Sequence, residues 1–554
     1  MPRGARPLAV VPPSGWHVGI KDNRMIDSSG IAMSKRDLLS LIGTSAGATA
    51  MYMAMGSMGQ AAASTFKGPI KLDGDAKGAS VLILGAGVAG LTAALELKRA
   101  GYTVQVLEYN DRVGGRSWTL KGGDTYTELG GATQTCQFAK GNYINPGPWR
   151  IPTEHSGLIH YCKILGVGLE PFQQNNYNAY LHSTKAFGGK PQRYKTIQAD
   201  YYGHVSELLA KAVKSNALDD AVTGEDKAIL LESLRSWGAL DKDMRYTKSS
   251  ASASRRGWDK GPGGGLTGAP VPSEPLDAHT VLQSGLWRAI GQNLTNEHQY
   301  AIFQPAGGME EIARGFERAV GNVVRLNSKV TAIRQDESGV SVDYLDTKSG
   351  EKLGAKADYC ICTIPLSILA QIEINVGGPM TAAIHAVPYR PSVKVGLEFK
   401  RRFWEQDEEI YGGITSTDLP ISQISYPSNG YGSQGPGVLL GAYVGGASSY
   451  EFTALTPAER VRKTLELGAQ IHPQYPAEFM NGISVGWHRV PWTLGCFGMW
   501  TEETRAEHYR NLCEMDGRIL LAGEHASYIG GWQEGGITSA LDAIGRLHSR
   551  VQAG

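Results

Sequence analysis

Cysteine is scarce in this chain: six residues, Cys136, Cys162, Cys360, Cys362, Cys496 and Cys513, among 554. None stands in C-x-x-C spacing, which argues against a zinc ribbon or a disulfide framework, and no other metal set suggests itself. Cys360 and Cys362, two apart in a β-leaning run, should face one side of a strand as small apolar side chains. An excess of one charge is also missing, because 54 Lys and Arg against 53 Asp and Glu leave a net +1. With no basic block and no interleaved aromatic-basic patch, nucleic acid is not an expected partner. Long runs of Leu, Ile and Phe are absent too, so no stable membrane span is expected. Glycine is what the chain has in plenty. Its 71 residues are nearly twice the usual share of about 7%, which suits a fold where backbone turns sharply or approaches a ligand. The length allows for about three or four domains.

The organising stretch is residues 81–108. Val81-Leu82-Ile83-Leu84 is a short apolar strand that stops at Gly85-Ala86-Gly87-Val88-Ala89-Gly90, a G-x-G-x-x-G. Gly85 permits the turn, Gly87 lets backbone approach a pyrophosphate, and Gly90 lets the next helix pack on its strand. That helix keeps Val88, Leu91, Ala94 and Leu95 on one stripe and ends at Gly101. A second strand, Thr103–Leu107, delivers Glu108 18 residues past the last glycine, where an acid can hold ribose hydroxyls. Strand, turn, helix and acid in register specify a dinucleotide site.

Upstream, residues 1–32 read as irregular. Met33-Ser34-Lys35-Arg36-Asp37-Leu38-Leu39 then opens an uncharged segment rich in small residues that reaches Ala61-Ala62-Ala63 and ends at Phe66. It resembles a twin-arginine export signal with lysine in the first arginine's place. Two readings stand: an export signal, placing the protein in a bacterial periplasm or outside the cell, or a surface helix on a cytoplasmic protein.

Downstream, Gly114-Gly115-Arg116 and Glu128-Leu129-Gly130-Gly131-Ala132 offer backbone N–H groups and a guanidinium to phosphate oxygens. Together, G-A-G-V-A-G-L, L-E-Y-N-D-R-V-G-G-R and E-L-G-G-A resemble the flavin-containing amine oxidase superfamily. Gly147-Pro148-Trp149-Arg150-Ile151-Pro152 resembles the G-P-x-R-[IL]-P of its L-amino-acid oxidase branch, as do Gly412–Pro420 and Tyr426-Pro427. Pro305-Ala306-Gly307-Gly308-Met309 resembles the family's P-x-G-G-M. Arg518–Glu524 and Gly530–Ile537 look like its C-terminal fingerprint.

The resemblance implies an FAD enzyme with a two-lobed α/β fold: a Rossmann-like FAD domain, a mixed β-sheet substrate domain and a helical insertion. It places a leader at 1–76 and the discontinuous FAD domain at 77–150, 296–366 and 486–554. The substrate domain falls at 151–175 and 367–485, and the insertion at 176–295, with a mobile loop or lid from Ser249 to Pro275. FAD would contact Gly85, Gly87, Gly90, Glu108, Arg116, Gly131, Ala132, Gly147, Trp149, Arg150, the backbone of Val330, Trp492, Glu524, Gly531, Trp532, Gly536 and Ile537. Arg150 and Tyr443 would hold a substrate carboxylate, with Trp500 and Trp532 as walls of an aromatic cage. Lys394, on the alternating strand Ser392–Phe399, would hold a water against flavin N5 and assist reoxidation by dioxygen. Some family members use a histidine base, which none of the 13 histidines here can be assigned from sequence. Thr493-Leu494-Gly495-Cys496-Phe497 lies over the S-G-G-C-Y through which monoamine oxidases tether FAD, but three of five residues differ, so non-covalent FAD is expected.

The implied activity is oxidative deamination of an L-amino acid to a 2-oxo acid, ammonia and hydrogen peroxide, with bulky or aromatic side chains preferred. The partners are the amino acid and dioxygen, with a homodimer as the expected assembly. A decarboxylating monooxygenase, an amine oxidase that needs no carboxylate, and a flavin-bearing binding protein are the alternatives.

Overall fold

The computed structural model describes residues 64–218, 222–298 and 301–554, with two short strands nearer the N-terminus. The chain forms two compact units, 1–62 and 63–554. In the first, Arg24–Ile26 pairs antiparallel with Ala32–Ser34, where the sequence reads as irregular. Neither stretch contains Pro or Gly, so every N–H is available to a ladder. Residues 35–63 of the export-like segment, including Lys35-Arg36 and Ala61–Ala63, lie outside the described residues.

The second unit starts from strand β1 (Ser80–Leu84), helix α1 (Val88–Arg99) and strand β2 (Thr103–Leu107). These strands lie in a five-stranded parallel sheet, with Val324–Arg325 beyond β2, and Tyr359–Cys362 then Ile519–Leu521 on the other side of β1. Alternation along β1 feeds two cores, as a sheet covered on both faces requires. Val81 and Ile83 pack with Leu91, Ala94 and Ile544, whereas Leu82 and Leu84 pack with Cys360, Cys362 and Leu521. Both cysteines therefore face one side, fully buried.

After helix α2 (Ser156–Ile164) comes a helical region of α3 (Tyr194–Lys214), α4 (Gly224–Gly238) and α5 (Ser250–Arg256). Of the apolar residues spaced along α3 and α4, Val213 and Leu234 are buried and Leu209 and Leu230 pack beside Leu234, whereas Leu208 and Trp237 are half exposed. Small residues make the closest contacts. A Cβ on Gly203 would meet the Tyr246 ring at 2.3 Å, and one on Gly238 would meet Ser206 at 2.4 Å, so these segments close to a distance that larger side chains would forbid. Nor is 249–275 structureless. Ser249 caps α5 in a capping box, and Trp258–Lys260 pairs with Val271–Pro272. Buried Arg256 clamps this segment, donating from Nε to Asp200 Oδ1 at 2.7 Å, while Asp200 Oδ2 accepts from Leu276 N–H at 2.9 Å.

A seven-stranded sheet carries β3 (Ser392–Phe399) between β4 (Gly437–Gly445) and, after helix α6 (Pro457–Gly468), β5 (Phe479–Gly486), both antiparallel to it. Every residue of β3 is buried. Tyr180–His182 and Gln192–Arg193 also join this sheet, through Ile414–Thr417, although the sequence assigns them to the insertion. Helix α7 (Gln533–Ala553) closes the chain against α1. Among the described residues no helix is long and apolar enough to cross a membrane.

One buried ion pair ties α6 to the E-L-G-G-A turn. Arg460 donates from Nη1 and Nη2 to Glu128 Oε2 and Oε1 at 2.7 and 2.8 Å. Both groups are dry, and when Arg460 is removed Glu128 keeps, among the described residues, only the partly exposed Arg489 as an ion-pair partner, 3.3 Å from its Oε1. Arg460→Met should therefore destabilise the protein by about 3–5 kcal/mol, and adding Glu128→Gln should return part of the loss. Urea denaturation of the two single variants and the double variant checks this; a double variant as unstable as the sum of the two singles would contradict it.

Candidate active site

The glycine turn at the top of β1 is open on one side. Gly85 sits at φ +102°, a region an L side chain rarely enters. A Cβ on Gly90 would lie 2.0 Å from the Gly85 carbonyl oxygen, whereas one on Gly87 would meet nothing within 4 Å. Gly87 is the N-cap of α1 and no side chain caps that helix, leaving its first-turn N–H groups and positive dipole end to an anion. Glu108, at the end of β2, steadies the turn by accepting from Ala86 N–H at 2.6 Å. Gly114 N–H donates to Ala86 O at 2.7 Å, which lays the Gly114-Gly115-Arg116 loop beside the turn.

Arg116 extends this cradle to the C-terminal fingerprint. Its Nη1 donates to Glu524 Oε1 at 2.7 Å and to Cys496 O at 2.8 Å, and Glu524 also accepts from the N–H groups of Gly498 and Gly531 at 3.2 and 3.1 Å. Burial is the largest influence and would by itself raise the Glu524 carboxyl, but Arg116, His525 and the Gly531 N–H together outweigh it and the group lies below the usual carboxylate range. Helix α7 begins at Trp532, again without a side-chain cap, and Gly536 sets its first turn against Ala89 of α1, 3.7 Å from a would-be Cβ. Two uncapped helix N-termini thus meet beside an arginine, an arrangement that fits a pyrophosphate and an anionic ring edge.

A second cluster is built around the Trp149 ring. Lys394 Nζ lies 4.5 Å from its centroid and Arg150 Cζ 5.2 Å. Tyr443, paired with Lys394 across β3 and β4, meets Trp149 edge to face at 5.5 Å and lies 4.7 Å from Lys394 Nζ. Trp532 lies 5.7 Å from the Arg150 guanidinium carbon. The sequence-assigned Lys394, Arg150, Trp149, Tyr443 and Trp532 are therefore together. Lys394 is 3% exposed and donates to Gly147 O at 2.5 Å and Asn145 O at 3.4 Å. Among the described residues no carboxylate forms an ion pair with it. Burial, with Arg150 adding to it, lowers its pKa to about 7. A Cβ on Gly147 would lie 2.1 Å from Arg116 O, so glycine there lets this segment pass against the Gly114-Gly115-Arg116 loop.

The remaining assigned residues lie elsewhere. Trp500 packs in the core with Leu366, Val387 and Leu521, its indole N–H donating to His525 O at 2.8 Å, and contacts none of the Trp149 cluster. Trp492 packs edge to face on Trp118 and Trp487 at 6.2 and 5.7 Å. Val330 is buried next to a bulge in its strand. Gly131 and Ala132 form a tight turn closed by Glu128 N–H to Ala132 O at 3.0 Å. Ile537 is fully buried in the core.

Three residues enter the cluster that sequence reasoning missed. Arg150 Nη1 donates to Gln174 Oε1 at 3.1 Å, and its Nη2 meets His298 Nε2 at 3.0 Å. His155 packs edge to face on Trp532 at 4.9 Å, and burial lowers its pKa to about 4, which keeps it neutral. His155 had a faint signal as the residue before helix α2. Gln174 and His298 had none, since each reaches Arg150 only through folding.

Comparison with known proteins agrees with this layout. The profile of a family described as flavin containing amine oxidoreductase matches residues 88–547. The chain is 27% identical over 477 residues to an L-amino-acid oxidase of Siganus canaliculatus, covering 85% of each. It is 27% identical over 483 residues to a flavin-dependent L-tryptophan oxidase of Lentzea aerocolonigenes, covering 84% of this chain and 97% of that one. The fold is similar to that of cyclohexylamine oxidase from Brevibacterium oxydans, at TM-score 0.57 and 18% identity, covering 86% of this chain and all of the other. With an open glycine cradle, an arginine and two helix N-termini at one end and an aromatic cluster with two cations at the other, and with the family profile running through both, the chain belongs to the flavin-containing amine oxidoreductases.

Proposed function

We propose that this protein is an FAD-dependent L-amino-acid oxidase, releasing a 2-oxo acid, ammonia and hydrogen peroxide, with bulky or aromatic substrates preferred. The observation that carries the reading is the forked Arg150 guanidinium and the dry Lys394 ammonium on one aromatic ring. A carboxylate entering this space finds a permanently charged, bidentate donor. The rings of Trp149, Tyr443 and Trp532 exclude water and leave apolar surface for a large side chain. FAD, when bound, supplies the two-electron acceptor that dioxygen regenerates. Gly87, Arg116 and Glu524 would hold its pyrophosphate and ribityl chain, Glu108 a ribose, and the Val330 backbone its adenine, while Lys394 would hold a water at the ring. FAD is held without a covalent bond: burial raises the Cys496 thiol, which disfavours the nucleophilic thiolate.

A panel of L-amino acids with a peroxide readout, followed by product analysis, tests the reading. Oxo acid formed together with peroxide is expected. An amide with carbon dioxide would make the protein a decarboxylating monooxygenase, and turnover of simple amines in preference to amino acids would make it an amine oxidase.

A further inference from the structure

The segment 64–77 runs the length of α7. Near its far end, His548 Nε2 meets Asp73 O at 3.0 Å and Gln552 Nε2 donates to Asp75 O at 2.6 Å. In the middle, Ile70 and Leu72 pack on the core, and Phe66 lies 5.3 Å from the His160 ring. At the near end Ser64 Oγ donates to Glu534 Oε1. That carboxylate is fully buried in the first turn of α7 and also accepts from Gly157 and Leu158 N–H, at 2.9 and 2.7 Å, in the first turn of α2. It thereby joins the two helix starts whose N-caps are Trp532 and His155, the pair that stands behind Arg150.

Glu534 is thus a dry carboxylate with three neutral donors, and among the described residues no cation forms an ion pair with it. The ionisable groups on the elements packed around it are His155 and His160, next to α2's first turn, and Lys67, which is exposed. Burial accordingly raises the Glu534 carboxyl. A buried carboxylate without a counter-ion is costly. The sequence immediately before Ser64 is Ala61-Ala62-Ala63, a small-residue pattern of the A-x-A kind that export-type endopeptidases cut.

We propose that hydrolysis of the Ala63–Ser64 peptide bond matures this protein by giving Glu534 its counter-ion, the new α-ammonium of Ser64. The reaction needs only water and the peptidase: the C–N bond breaks, hydroxide goes to the Ala63 carbonyl carbon, and the nitrogen leaves as the protonated amine of Ser64. That nitrogen belongs to the residue whose hydroxyl already touches the carboxylate. The ion pair fixes the two helix starts, and with them Trp532 and His155 at the substrate cluster. The Ser64–Glu534 contact and the Ala61-Ala62-Ala63 pattern are the same whatever the substrate.

The full chain, expressed in an exporting bacterial host and purified, is sequenced from its N-terminus and treated near neutral pH with an amine-acylating reagent. The chain should begin at Ser64, with an α-amine that acylates about tenfold more slowly than in Glu534→Gln, as a pKa raised by one unit gives. Ser64→Gly, which leaves Glu534 untouched, should keep that protection. A mature N-terminus elsewhere, equal acylation of the parent and Glu534→Gln, or loss of protection in Ser64→Gly would each overturn the proposal.

Discussion

Replacing Arg150 with alanine lowers kcat/KM for L-amino acids by about 10²–10³-fold, while the protein still purifies with flavin. The size follows from burial. In water a single arginine-carboxylate contact contributes little, but against the rings of Trp149 and Trp532 it is desolvated and charge-assisted. Losing it leaves the incoming carboxylate with Tyr443 and Lys394 but without its forked donor, a cost of about 2–5 kcal/mol. Arg150→Lys keeps the charge and loses the fork, so it should fall between parent and alanine variant. Steady-state peroxide kinetics with an amino acid and with the matching amine separate the effects, since the amine has no carboxylate to lose. If Arg150→Ala oxidises L-amino acids within about threefold of the parent, the proposed substrate class is wrong.

Lys394→Met should act in two opposite ways. Oxygen-dependent turnover is expected to fall about 10²-fold, within the range for loss of a positioned proton-handling group, while anaerobic reduction of the flavin by substrate changes little. Stability moves the other way. The folded-state pKa is about 7, against an ordinary 10.5, so between these values the unfolded chain binds more protons than the native one. Native stability therefore rises with pH across that window, and the penalty for burying the ammonium is fully present below pH 7. Methionine removes a penalty on the order of a few kcal/mol. The melting temperature of Lys394→Met should exceed the parent's at pH 6 and approach it near pH 10. An equal shift at both pH values would show that Lys394 does not titrate in this window.

The glycine turn was legible because its constraints are local. Gly85 and Gly90 are each required by a backbone angle or a clash within a short stretch, and Glu108 follows at the end of the next strand, whereas Gly147 is required by Arg116 O, which only the fold brings close. Lys394 and Tyr443 could be assigned from alternation and resemblance, but their pairing across β3 and β4 could not. Trp500 shows the limit. An aromatic residue near a motif reads alike as cage or core, and only packing places its indole on His525. In the helical region apolar spacing identifies only part of the buried face: Val213 and Leu234 are buried, but Gly203 and Gly238 set the closest contacts.

The sequence by itself determined the βαβ turn, the match to a flavin family and the candidate carboxylate-binding arginine, because short-range geometry and motif spacing survive without coordinates. Tertiary structure alone decided what surrounds them. It brought Gln174 and His298 to Arg150, left Lys394 dry on two aromatic rings, and set Ser64 on the Glu534 carboxylate. Each of these depends on desolvation and on contacts between residues far apart in the chain, which exist only once the segments have packed.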